Sequence, residues 1–88
     1  MRARLLIIAG RVQGVGYRDW MVMRAQRLGI VGWVRNRPDG LVEALVAGEE
    51  AAVEEMLRAC RRGPAAAEVV SITEEWADPP TDLGFFRR

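Results

Sequence analysis

Apolar residues first come as an unbroken run, Leu5 to Ala9, then at helical spacing, then in two short strand-like stretches, then at helical spacing again. Residues 3–12 read as a buried strand, because the run is short and rich in bulky and β-branched side chains. From Tyr17 to Leu28, Met21, Ala25 and Leu28 fall at i, i+4 and i+7, with Tyr17 and Trp20 flanking the same side and Arg24 and Arg27 on the wet face. That spacing predicts a helix ended by Gly29, with Ile30 folding back onto it. Residues 30–37 and 41–47 have strand composition, and Pro38-Asp39-Gly40 between them is a turn signal, so the pair reads as a hairpin. Gly48-Glu49-Glu50 opens a second helix with acids in its first turn and Arg58, Arg61 and Arg62 in its last, as the helix dipole favours. Its apolar stripe is Val53, Met56, Leu57 and Cys60, and Gly63-Pro64 stops it. Residues 67–76 form a fourth strand with Val70, Ile72 and Trp76 on one parity. A loop over 78–84 leads to a very short last strand at Phe85-Phe86-Arg87-Arg88. The order β-α-β-β-α-β predicts an α+β fold with two helices on one face of an antiparallel sheet, the ferredoxin-like sandwich, in a single domain over residues 1–88.

Composition narrows the chemistry. Thirteen arginines against 12 acidic residues leave a net charge of +1, so no broad basic surface advertises nucleic acid or an anionic membrane. Histidine is absent, which removes the commonest general base and the commonest metal ligand. Cys60, the single cysteine, lies on the apolar stripe of the second helix and reads as a small buried residue. The pairs Glu49-Glu50, Glu54-Glu55 and Glu74-Glu75 read as solvated faces. No cluster has metal-ligand spacing, and neither metal nor cofactor is expected. No apolar segment approaches the ~20 residues that span a bilayer. The first residues run straight into a strand without a small-residue cleavage site, so the expected location is the cytoplasm.

The stretch Gly10-Arg11-Val12-Gln13-Gly14-Val15-Gly16-Tyr17-Arg18 lies between the first strand and the first helix. Helix starts leave backbone N–H groups without partners and carry partial positive charge. Glycines at 14 and 16 allow successive N–H groups to converge on one oxyanion. Arg18, a cation in a first turn, is unfavourable by roughly 0.3–1 kcal/mol unless an anion offsets it. Two readings stand at this point: an amide cradle closed by a guanidinium and suited to a phosphoryl group, or a plain connector with Arg18 in solvent. Asn36, at the end of the second strand, is likewise either a turn-initiating residue or an amide able to orient a water.

The same nine residues closely resemble the acylphosphatase signature G-R-V-Q-G-V-G-F-R. The segment Leu28-Gly29-Ile30-Val31-Gly32-Trp33-Val34-Arg35-Asn36-Arg37-Pro38-Asp39-Gly40-Leu41-Val42-Glu43 resembles that family's second block. Gly63-Pro64-Ala65-Ala66-Ala67-Glu68-Val69 resembles the G-P-x-x-A-x-V before its fourth strand. Two departures are visible: Tyr17 where the family usually has Phe, and a short, charged C-terminus where it usually has a further apolar strand residue.

The resemblance implies hydrolysis of the carboxyl-phosphate bond of acyl phosphates. It implies that Arg18 is the phosphate-binding catalytic arginine, that Asn36 positions the attacking water, and that the loop Gln13, Gly14, Val15, Gly16, Tyr17 and Arg18 binds the phosphate. The chemistry suits a site without histidine. The leaving carboxylate has a conjugate-acid pKa of about 4 and departs without a proton, so positioning and charge stabilisation suffice. The expected partner is a small acyl phosphate, or inorganic phosphate in the loop, with Arg11, Arg35 and Arg37 as candidates for steering anions. The alternative is a non-catalytic phosphate- or anion-binding module; RNA binding, which related folds support, lacks the basic and aromatic surface it needs. A monomer is expected, since two helices covering the sheet would leave no broad apolar face.

Overall fold

In the computed structural model, which describes residues 2–88, the chain forms β1 (Ala3–Arg11), α1 (Tyr17–Leu28), β2 (Val31–Asn36), β3 (Val42–Ala47), α2 (Glu50–Arg62), β4 (Glu68–Ala77) and β5 (Phe85–Arg87). The strands make one sheet in the order β4-β1-β3-β2-β5. β3 runs antiparallel to both β1 and β2, β4 runs antiparallel to β1, and β5 is parallel to β2. β1, β2 and β5 therefore point the same way. Their C-terminal ends lie along one rim of the sheet, where β1 feeds the glycine loop.

Alternation along the strands builds the core. Leu6 and Ile8 of β1, Val34 of β2, and Val42, Ala44 and Val46 of β3 point to one face and are fully buried. Tyr17, Met21 and Ala25 of α1 and Val53, Met56, Leu57 and Cys60 of α2 close over them, as the helical spacing predicts. Truncating Leu6, which has no exposed surface, to alanine would cost about 2–5 kcal/mol. α1 ends with Gly29 at φ 70°, and Ile30 donates its N–H to the carbonyl of Ala25 at 2.9 Å. Holding Ile30 in that cap moves the start of β2 to Val31.

The structure corrects the expected parity of β4. Ala9 pairs with Ser71 but Gly10 pairs with Val69, so a bulge interrupts the ladder. Val69 and Ile72 both pack on the core while Val70 is 74% exposed. On the helix-free face Ala3, Leu45 and Ala47 form a second buried cluster, with Leu5, Val31, Trp33 and Ala77 packed against it. The charged C-terminus still completes a strand. Phe85 opposes Gly32 and enters the core at 3% exposure, while the Arg88 guanidinium lies over Trp33, 4.6 Å from the ring centroid.

Candidate active site

The rim where β1, β2 and β5 end is the place where the loop, Asn36 and the C-terminus meet. Gly14 and Gly16 take φ of 73° and 80°, a region that side chains rarely adopt. Gly16 is also the N-cap of α1 and offers no side chain to the first turn. Among the described residues, none of the backbone N–H groups from Gln13 to Asp19 donates a hydrogen bond, and the first amide of α1 to do so outside the helix is that of Trp20, to Gly16. A set of unpaired amides at the positive end of a 12-residue helix is an anion-binding arrangement.

These groups open into a cleft of about 180 Å³ lined by Val12, Gly14, Gly16, Tyr17, Arg18, Asp19, Asn36 and Arg87. Arg18 and Asn36, 18 positions apart in sequence, thus share one cavity. Arg18 has no carboxylate partner among the described residues; its Nη1 reaches only the carbonyl of Arg88, at 3.4 Å. Asn36 has the parity of buried Val34, so its side chain rises on the helix side beneath the loop. Its Oδ1 is buried and accepts no hydrogen bond within the chain. A buried acceptor left unpaired costs roughly 1–3 kcal/mol, a cost that a ligand or water in the cleft would relieve.

The side chains of three members of the loop do other work. The Gln13 side chain turns away from the cleft and donates from Nε2 to the carbonyls of Arg37 at 2.8 Å and Leu41 at 2.9 Å. This ties the loop to the β2–β3 turn, directly beside Asn36. Val15 packs against the core. The hydroxyl that distinguishes Tyr17 from phenylalanine donates to the carbonyl of Cys60 at 2.7 Å. It thereby satisfies one of the carbonyls that the last turn of α2 leaves open. Burial pushes the Tyr17 phenol well above its ordinary range and the Cys60 thiol up to about 12, so neither ionises near neutrality.

Arg87 and Asp19 were not legible as site residues. Arg87 has the parity of buried Phe85, which brings it to the helix side, where Nη1 donates to Asp19 Oδ1 at 2.6 Å. The signal appears only once β5 is known to pair with β2. The expected steering arginines are each held by an acid: Arg11 by Glu68 at 3.8 Å, Arg35 by Glu43 at 2.6 Å and Arg37 by Asp39 at 2.8 Å. Among the described residues, no three His, Cys, Asp or Glu side chains gather as a metal site would need, and no helix is long and apolar enough to cross a membrane.

Comparison with known proteins is consistent along the chain. The acylphosphatase family model matches residues 4–87. An acylphosphatase of Acidiphilium cryptum (strain JF-5) is 64% identical over 88 residues, covering 100% of this chain and 97% of its own length. The crystal structure of acylphosphatase from Bacillus subtilis superposes with a TM-score of 0.90 at 34% identity, covering 99% of this chain and 97% of that one. An acylphosphatase from Coxiella burnetii superposes with a TM-score of 0.93 at 28% identity, covering 98% and 90%. The fold, the loop between β1 and α1 and these matches agree: the chain belongs to the acylphosphatase family, hydrolases that act on the acid anhydride of acyl phosphates.

Proposed function

We propose that the cleft hydrolyses acyl phosphates by direct attack of water on a phosphoryl group held by Arg18 and by the backbone N–H groups of Gln13 to Arg18, with Asn36 aiming the water. The observation that supports this reading best is the buried, unpaired Oδ1 of Asn36 in the same cleft as an arginine without a carboxylate partner. An amide oxygen accepts a hydrogen bond from water and so fixes where the water's lone pair points. Arg18 offers a planar fork of donors to two phosphoryl oxygens, and the loop amides meet the charge that grows on the equatorial oxygens.

Proton accounting follows from the residues present. Neither an amide nor a guanidinium is a base at neutral pH, so the attacking water passes its proton to a phosphoryl oxygen of the substrate. The carboxylate leaves unprotonated, carrying the electron pair of the broken oxygen–phosphorus bond. Products are a carboxylate and inorganic phosphate.

The test is hydrolysis of benzoyl phosphate, followed by its ultraviolet absorbance, with the wild-type chain and Arg18→Ala side by side in the presence of a chelator. Turnover by the wild type that survives chelation and falls at least about 10²-fold in the variant is expected, the loss typical of a missing donor to a developing charge. An inert wild type that inorganic phosphate nevertheless protects against thermal unfolding would make the cleft a binding module and overturn the catalytic reading.

A further inference from the structure

The cleft contains one more cation than the phosphoryl chemistry uses. Arg87, at the end of β5, lines it together with Arg18. Arg18 stands without a carboxylate partner among the described residues, while Arg87 is engaged by Asp19 at 2.6 Å. That pair is open to solvent, with side-chain exposures of 46% for Arg87 and 67% for Asp19. Ion pairs this exposed are weak and readily exchanged. Asp19 also lies in the first turn of α1, so when released from Arg87 it keeps the favourable field of the helix start. The pair can therefore open at little cost, and what opens it most directly is a group with the chemistry of Asp19 itself.

We propose that Arg87 is a specificity residue, selecting acyl phosphates whose acyl chain bears a second carboxylate, which replaces Asp19 on the Arg87 guanidinium while Arg18 and the loop hold the phosphoryl group. This rests on the reading of the cleft as an acyl phosphate site. An acyl chain without charge leaves the Arg87–Asp19 pair closed and gains nothing from it. A chain ending in a carboxylate gains a charge-assisted, two-pronged contact, and loses part of that gain to repulsion by the displaced Asp19. Asp19 thus tunes the preference that Arg87 creates.

The experiment compares two substrates with the same four-carbon chain, butanoyl phosphate and succinyl phosphate, which differ by a terminal carboxylate. The readout is the ratio of kcat/KM for succinyl phosphate to that for butanoyl phosphate. Arg87→Gln is expected to lower this ratio roughly two- to fivefold, the size of one solvent-screened charge contact, and added salt to lower it in the wild type. Asp19→Asn, which keeps the guanidinium and removes the competitor, is expected to raise it by about twofold or more. A loss shared equally by both substrates in Arg87→Gln leaves the ratio unmoved and overturns the proposal. Should Arg87→Gln fail to fold, an unmoved ratio in Asp19→Asn overturns it instead. Failure of the wild type to hydrolyse either compound is a different result, which removes the underlying catalytic reading.

Discussion

In the proposed mechanism Arg18 and Asn36 meet the substrate in different ways, and kinetics should separate them. A guanidinium that holds phosphoryl oxygens contacts both bound substrate and transition state, so Arg18→Ala should raise KM and lower kcat together. An amide that only orients water touches nothing of the ground-state substrate, so Asn36→Ala should lower kcat by about 10²-fold with KM within a few-fold of the wild type. Steady-state kinetics on benzoyl phosphate decide it, and matching losses in both constants at both positions would contradict the division of roles. Asn36 illustrates how far the sequence reaches. Its position before Arg37-Pro38-Asp39-Gly40 is equally that of a turn residue, and what supports the water-positioning reading is its buried, unpaired Oδ1 in the cleft that Arg18 also lines. Tyr17 was legible as an aromatic in the loop, but the partner of its hydroxyl, 43 positions away, was not. Tyr17→Phe should lower stability by about 1 kcal/mol, or roughly 4–8 °C in Tm, read by circular dichroism at neutral pH.

At the scale of elements, hydrophobic spacing located every helix and strand to within a residue or two, because each buries one face and the period of that face is local information. What it could not show is where two backbones touch. Gly32 in β2 has φ 139°, and a Cβ built there would lie 1.8 Å from the carbonyl oxygen of Leu45 in β3. Nothing in the run Val31-Gly32-Trp33-Val34 signals this, since the constraint comes from the neighbouring strand. Gly32→Ala should therefore destabilise the chain by about 3 kcal/mol or more, seen as a lower urea midpoint, through both the strained φ and the displaced β3 backbone. A midpoint within error of the wild type would mean that β2 can shift its register against β3 without loss. The bulge in β4 escaped the sequence for a related reason: it depends on how Gly10 of β1 seats against Val69, not on alternation within β4.

At the scale of the whole molecule, the fold class was legible because the order of elements admits few topologies, and the loop was legible because three sequence blocks resemble one family. The rest of the cleft comes from the sheet. β5 runs parallel to β2, so Arg87 reaches the rim where β1 and β2 also end. The same packing makes global stability depend on pH on the alkaline side. Tyr17 and Cys60 bond to each other across the contact between α1 and α2, and burial raises the pKa of both, that of the thiol to about 12. In the unfolded chain they return to about 10 and about 8.5. Above about pH 8.5 the unfolded state therefore binds fewer protons than the folded state, and the slope of unfolding free energy with pH is negative. Stability from these groups is complete below about pH 8.5 and is lost as pH rises toward 12, the thiol contributing first and the phenol joining above about 10. Tm under reducing conditions should fall by on the order of 10 °C or more between about pH 8.5 and 11. In Tyr17→Phe the decline should be shallower above about pH 10. A Tm constant across that range would show that the α1–α2 contact admits solvent to both groups before the chain unfolds.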